Sequence, residues 1–334
     1  LALDVGESGA VGGGAVGGGA VGGGAVGGGA VGGGAVGGGG AVVGPGVEVA
    51  PLGGLRRVTR PWHPGLRPFL TSYAGFWDSA TSPYRVRLVP TGRAVLVINL
   101  AEPFTQRRRL DAPGAAGGRI GSLITGLDDV PGVCEHPGGQ EAIRLEFTPL
   151  GAYRLFAVPM GELTNQVVEL RDVLGPEAGV LMERLAAAGD WTSRFDLLDA
   201  ALLNRLGRGP DPSPEVAHAW RLLSDTAGAI PVARISAEVG WSQGHLIRRF
   251  TEQIGLTPKT CARVLRFQRA LGMLARGAES LAAVSAACGF YDQAHLSREF
   301  RALADTTPRQ MAAARQVEGA LAFGRRGQIC PSQA

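Results

Sequence analysis

Two stretches of this chain place imidazole and guanidinium groups at matching helical positions. GWSQGHLIRRFTEQIGLTP begins at residue 240 and GFYDQAHLSREFRALADTTP at residue 289. Displaced by fifty residues, His295 falls on His245, Leu296 on Leu246, Arg298 on Arg248, Phe300 on Phe250, Thr307 on Thr257 and Pro308 on Pro258. With Leu246 and Phe250 turned inward, a helix shows positions 244, 245, 247, 248 and 251 on its flanks and outer face. The second copy shows 294, 295, 297, 298 and 301. His245, Arg248, Thr251, His295, Ser297, Arg298 and Arg301 gather there. Side chains of these types suit a major groove, where Arg grips guanine O6 and N7 together and apolar groups meet thymine methyls. The competing reading is that Arg248 and Arg298 are only solvated.

The elements that must position these groups are legible on either side. VARISAEVG (232–240) is a short helix stopped by Gly240, and a second helix starts at about Ser242. SLAAVSAACG (280–289) repeats this with Gly289 as the stop and Asp292 as the cap. Helix, glycine turn, helix, twice over, describes two helix-turn-helix units. TCARVLRFQRALGMLARG (260–277) places Val264, Phe267, Leu271 and Leu274 on one face, as a helix connecting the units would. Ser213-Pro214-Glu215 opens a further helix with a capping hydroxyl, Pro in the first turn and an acid at the positive dipole end.

Residues 215–312 resemble the DNA-binding domain of the AraC family of bacterial transcription regulators. The first unit of that pattern, G-x-S-x-x-x-L-x-R-x-F and then G-x-[ST]-P, is met by Gly240, Ser242, Leu246, Arg248, Phe250, Gly255, Thr257 and Pro258. The second, G-F-x-x-x-x-x-[LF]-x-R-x-F, is met by Gly289, Phe290, Leu296, Arg298 and Phe300. Its closing glycine is replaced by Asp305, a residue type that tolerates the left-handed backbone. The resemblance implies base readers at Gly244, Ile247 and Arg248 in one unit and at Ala294, His295 and Arg298 in the other. Ser297 belongs to the same face. Gln243 and Gln293 stand near the helix starts as phosphate or capping groups, and His245 is a reader or a packing residue. Implied partners are double-stranded DNA, a small-molecule effector, a second copy of the chain and RNA polymerase, in an activator without cofactor.

Upstream, RVRLVP (85–90), AVLVINL (94–100), RIGSLITGL (119–127) and EAIRLEF (141–147) are β-type runs separated by Gly and Pro turns. That pattern predicts antiparallel strands in a sandwich or small barrel, and the family resemblance makes the expectation a cupin-like sensor or dimerisation domain. Residues 176–189 and 192–206 then turn to helical spacing, with Thr192 or Ser193 as cap of the second. The expected organisation is a Gly-rich AVGGG tail over 1–54, a β-rich domain over 55–206 and a linker over 207–214. The DNA-binding domain follows over 215–316, with a disordered tail over 317–334. The fold class is α+β, an antiparallel β domain with trailing helices followed by an all-α double helix-turn-helix. Trp62, Tyr73, Trp77, Tyr84, Arg144 and Glu146 are candidates for lining an effector pocket, although aromatics in a β domain more often belong to the core.

Composition narrows the function classes. The chain has 334 residues, 45% hydrophobic, with a net charge of +4. Between Pro214 and Val317 thirteen Arg and Lys stand against eight Asp and Glu, so the basic surplus sits where the repeats are. Four scattered cysteines without metal-ligand spacing fit reduced thiols in a cytoplasm and argue against a zinc site. No paired-His motif or acid/base constellation is read in the sequence, so an enzyme is not expected. The rival is a DNA-binding protein whose first domain only dimerises and senses no ligand.

Overall fold

The computed structural model of the chain describes residues 2–4, 47–52, 55–78, 84–108, 119–278, 280–317, 322–324 and 328–330. Its strands are β1 (Ala2–Asp4), β2 (Glu48–Leu52), β3 (Leu55–Thr59), β4 (Leu70–Asp78), β5 (Tyr84–Leu88), β6 (Ala94–Asn99) and β7 (Phe104–Arg108). They continue as β8 (Arg119–Ile120), β9 (Leu123–Thr125), β10 (Gly132–His136), β11 (Glu141–Phe147), β12 (Val167–Glu169), β13 (Ala322–Gly324) and β14 (Gln328–Cys330). The helices of the first half are α1 (Pro149–Phe156), α2 (Leu170–Leu174), α3 (Pro176–Ala187) and α4 (Trp191–Arg208). Those of the second half are α5 (Pro214–Asp225), α6 (Val232–Glu238), α7 (Gln243–Ile254), α8 (Pro258–Ala275), α9 (Leu281–Ala287), α10 (Gln293–Ala304) and α11 (Pro308–Val317).

Two antiparallel sheets are built from the first part, ordered β1-β5-β10-β7-β8 and β12-β9-β6-β11-β4-β3-β2. The two faces of β6 explain how they pack. Ala94, Leu96 and Ile98 are buried on one side, while Val97 on the other meets Phe104 and Cys134 from the smaller sheet. Register carries each face across the larger sheet: Leu96 lies beside Leu145 and Leu145 beside Tyr73, with Ile98, Ile143 and Gly75 as the next row. Helix α4 covers that outer face with Trp191, Phe195 and Leu198, all fully buried. Gly75 makes this possible, since a Cβ there would sit 2.0 Å from Trp191 Cζ3. The α+β class expected from the sequence is the one observed.

Several expected boundaries shift. Helix α4 begins at Trp191 because the Asp190 carboxylate accepts from the Ser193 amide at 2.9 Å; the cap is Asp190 and not Thr192 or Ser193. Its last turn runs to Arg208, which leaves only 209–213 before α5. Strand β2, inside the segment expected as tail, pairs with β3 of the β-rich domain, and β13 and β14 pair with each other beyond residue 317. The AVGGG tract lies outside the described residues. The two parts are not separate in packing either. One hydrophobic core runs from Val58 through Leu145, Trp191 and Leu223 to Leu246, Phe250 and Ala262.

Candidate nucleic-acid interface

Each helix-turn-helix is held by a short list of contacts that the repeat had suggested. In the first, Gly240 takes a φ of 70°, which only the left-handed region supplies, and turns the chain from α6 into α7. Ser242 caps α7 by accepting from the His245 amide at 3.3 Å, and Leu246, Phe250 and Ile254 pack inward with Ile235. In the second, Gly289 takes a φ of 71° and the Asp292 carboxylate accepts from the His295 amide at 2.6 Å. Val284, Leu296 and Phe300 are fully buried there. Asp305, the departure from the repeat, has a φ of 49° and occupies the left-handed conformation a glycine would take.

Helix α8 belongs to both units. Its first turns put Cys261 and Ala262 into the core of the first, and Val264, Phe267, Ala270 and Leu271 into that of the second. The Phe267 ring meets the Phe300 ring edge-on at 4.8 Å, and Arg263 pairs with Glu299 at 3.1 Å. The relative placement of α7 and α10 is therefore carried in part by one continuous helix.

The face expected to read DNA points outward. Gln243, Gly244, His245, Ile247 and Arg248 are exposed in α7, as are Gln293, Ala294 and Arg298 in α10. Among the described residues Ile247, 40% exposed, is one of three large hydrophobic side chains left open to solvent, with Val180 and Tyr291. Arg248 lies 3.4 Å from His245 Nδ1, and the His245 ring meets Trp241 edge-on at 4.5 Å. Among the described residues none hydrogen-bonds or pairs with the Arg298 guanidinium. His295 and Ser297 are half-buried. The His295 ring is bracketed: Nδ1 accepts from the Tyr291 amide at 3.3 Å, Nε2 lies 3.6 Å from Glu299, and Phe290 stands against it at 5.5 Å. Tyr291, absent from the residues singled out by sequence, is 93% exposed at the entry to α10. The fifty-residue alignment pairs it with Trp241, and that pairing of aromatics is the signal that could have found it.

Of the six residues considered for an effector pocket, the five whose side chains are described do not converge. Tyr73 is buried on the helical side, its hydroxyl donating to the Phe195 carbonyl at 3.3 Å and its ring edge-on to Phe195 at 5.0 Å. Trp62 lies 6.4 Å from Tyr73, and Trp77 stacks on Trp191 at 6.0 Å. Arg144 and Glu146 point to the opposite side of the sheet, since Arg144 pairs with Val97 in the register. There Glu146 is bridged by Arg93 at 2.9 Å and Arg144 at 3.0 Å. Burial works to raise the Glu146 carboxyl, yet the Arg144 and Arg93 charges outweigh it and hold the group below its ordinary range. Tyr84 pairs with His136 in the register, and its side chain lies outside the described residues. A cleft of about 390 Å³ is lined by Arg154, Leu155, Leu174, Glu177, Arg205 and Arg208, none of the six. Among the described residues no group of His, Cys, Asp and Glu is disposed to hold a metal ion. None of their helices is long and apolar enough to cross a membrane.

Two glycine-turned helix pairs joined through one shared helix, with a polar and partly basic outer face on each, form a double helix-turn-helix. Residues 235–314 match the family described as a helix-turn-helix domain, and residues 59–169 match one described as a domain of unknown function (DUF6597). The chain is 34% identical over 88 residues to the uncharacterized HTH-type transcriptional regulator YbfI of Bacillus subtilis (strain 168). That match covers 26% of this chain and 32% of the relative, so the chain spans about a third of that protein's length. Among solved structures, an AraC-type transcriptional regulator from Chromobacterium violaceum is similar at 29% identity, over 30% of this chain and 90% of that one, with a TM-score of 0.28. ToxT from Vibrio cholerae O395 is similar at 10% identity, over 74% of this chain and 98% of that one, with a TM-score of 0.41.

Proposed function

We propose that this chain is a sequence-specific transcription regulator that reads two successive major-groove segments, one with α7 and one with α10. The observation that carries the reading is the repeated outward face, with Arg248 and Arg298 at equivalent positions on helices tied together by α8. In this reading 215–316 is the DNA-reading unit. Arg248 and Arg298 contact guanines, Ile247 and Ala294 contact thymine methyls, and Gln243, Gln293, Gly244, His245 and Ser297 lie against the backbone or groove walls. His295 serves mainly to order the start of α10. Selection of bound sequences from a random duplex pool, using the full chain, tests this. The expected result is an asymmetric site with two elements about 10–10.5 bp apart. Binding that falls with salt but shows no sequence preference would sink it.

The β-rich part, 55–206 in this reading, assembles two chains, senses a small molecule, or both, with RNA polymerase as a further partner of the bound complex. A cytoplasmic location belongs to the same reading and suits the buried thiols of Cys134, Cys261 and Cys288. The alternative, that this part only dimerises, is favoured by one observation: the aromatic candidates Tyr73 and Trp77 are packed core and do not line an open cavity. Small-molecule screening by thermal shift, alongside sedimentation, separates the two.

A further inference from the structure

The β-rich part grips both reading helices at the same place, the C-terminal end. Helix α10 closes at Ala304, and Arg87 Nη1 donates to the carbonyls of Ala304 at 2.9 Å and Asp305 at 2.8 Å. These carbonyls belong to the helix end that lacks intrahelical partners and carries the negative dipole, so a guanidinium is matched to them in hydrogen bonding and in charge. Nearby, Val89 is buried in the core of the second unit with Phe267, Phe300 and Leu303, and Gln268 Nε2 donates to the Pro90 carbonyl. Helix α7 closes at Gly255, whose carbonyl accepts from the Thr164 hydroxyl at 2.7 Å. Gly255 has a φ of 103°, and a Cβ there would lie 2.9 Å from Thr164 Oγ1 and 3.0 Å from the Met160 carbonyl oxygen. The absence of a side chain at this turn lets the two parts of the chain meet.

We propose that Arg87 and Thr164 are positioning residues for DNA reading, which fix the angle and separation of the two reading helices from behind. This rests on the reading above that α7 and α10 enter the groove. The side chains at Gln243–Arg248 and Gln293–Arg298 stand in the opposite half of each helix from the gripped carbonyls. The twelve residues of each helix span about 18 Å. A tilt of about 10° at the gripped end therefore moves the reading groups by roughly 2–3 Å, close to the base-pair rise of about 3.4 Å. Helix α8 joins the units on one side; the grips of Arg87 and Thr164 close the frame on the other. The preferred spacing of the two DNA elements is then a property of the whole chain.

The experiment uses the full-length chain and duplexes carrying the two selected elements at their selected spacing, or one or two base pairs closer or farther. The wild-type chain should favour one spacing. Arg87→Ala should lose on the order of tenfold of that discrimination, the scale of a charged hydrogen bond, and keep the base preference within each element. Arg87→Lys should restore part of it, since an ammonium can donate to the same carbonyls. Thr164→Val should flatten the profile less, and Thr164→Ser should not. Thermal melting establishes that each variant is folded, and the Thr164 pair answers the question if Arg87→Ala is not. Unchanged spacing profiles in folded Arg87→Ala and Thr164→Val would overturn the proposal while leaving the DNA reading intact. A wild-type chain with no two-element preference would overturn the DNA reading and this proposal with it.

Discussion

Replacing Arg248 or Arg298 by alanine separates reading from mere attraction. Arg298 is exposed and free of internal partners among the described residues, so its loss takes nothing from the folded state and the whole effect should fall on binding. Among the described residues Arg248 has only the contact to His245 at 3.4 Å, a length at the weak end of hydrogen bonding, and little must be released before it can turn to a base. A bidentate pair with guanine discriminates by about 1–3 kcal/mol, or roughly 5- to 150-fold in affinity. Each variant should therefore lose that much for the selected site and become tolerant at one base position, in a different element for each. Arg221 on α5 is exposed and 3.3 Å from His218 Nδ1; Arg221→Ala should leave the motif intact. The assay is repeated pool selection with each variant, followed by titration of the selected duplex at several salt concentrations. If Arg248→Ala and Arg298→Ala instead weaken all sequences alike and lower the salt slope by about 1, both are phosphate contacts and the reading face has been misassigned.

The first part of the chain yields two stability predictions. Glu146→Gln should destabilise by about 3 kcal/mol, the lower end of the range for breaking a buried pair, because Arg93 and Arg144 keep 23% and 28% of their side chains exposed. Since the folded Glu146 pKa is depressed, its contribution is present above the unfolded carboxyl value of about 4.3 and is lost as pH falls through the lower folded value. Urea melts from pH 7 down to pH 3 should show this slope in the wild type and a shallower one in the variant; equal slopes would exclude the bridge as its source. Gly75→Ala places a methyl 2.0 Å from Trp191 Cζ3, so about 1–3 kcal/mol of stability should go, with a changed near-ultraviolet signal from Trp191 and Trp77. A variant as stable as the wild type would mean that α4 packs differently.

What could be read in advance depended on how local the determining contacts are. Leu246, Phe250, Leu296 and Phe300 announce two buried helical stripes because their spacing repeats, and all four are fully buried. The alternation in AVLVIN likewise marks a strand with two unlike faces, as β6 has. Asp305 could be placed in the left-handed region because few residue types accept it. The cap of α4 was misplaced where Asp190, Thr192 and Ser193 compete within a few residues and all can accept from an early amide. How the candidate pocket residues are distributed has a longer-range cause. Arg144 and Glu146 share a face by parity, but whether Tyr73 joins them depends on the β4–β11 register, which no local pattern contains. Arg87 is farther still from legibility, as its partner lies 217 residues away. The bracketing of His295 is different: Glu299 stands one helical turn on, so that contact was legible in the helix sequence itself.

The two units have kept one scaffold and changed the groups they present, and the packing shows where the change was allowed. Trp241 and Tyr291 occupy equivalent places, yet the first folds its ring against His245 while the second stands 93% exposed. In the second unit that inner role passes to Phe290, which holds the His295 ring, and Glu299 is held in turn by Arg263 of α8. His295 is thus tied to the helix that joins the units, whereas His245 leans, among the described residues, on its own turn and on Arg248. On the DNA reading proposed above, α7 offers a face that includes Ile247, His245 and Arg248, all exposed. Helix α10 offers Arg298, Ala294 and the neighbouring Tyr291 around a histidine already engaged. Two faces so unequal would be poorly served by two identical elements. A chain that binds them side by side gains orientation on the duplex as well as affinity, because reversing it would set each face against the wrong element.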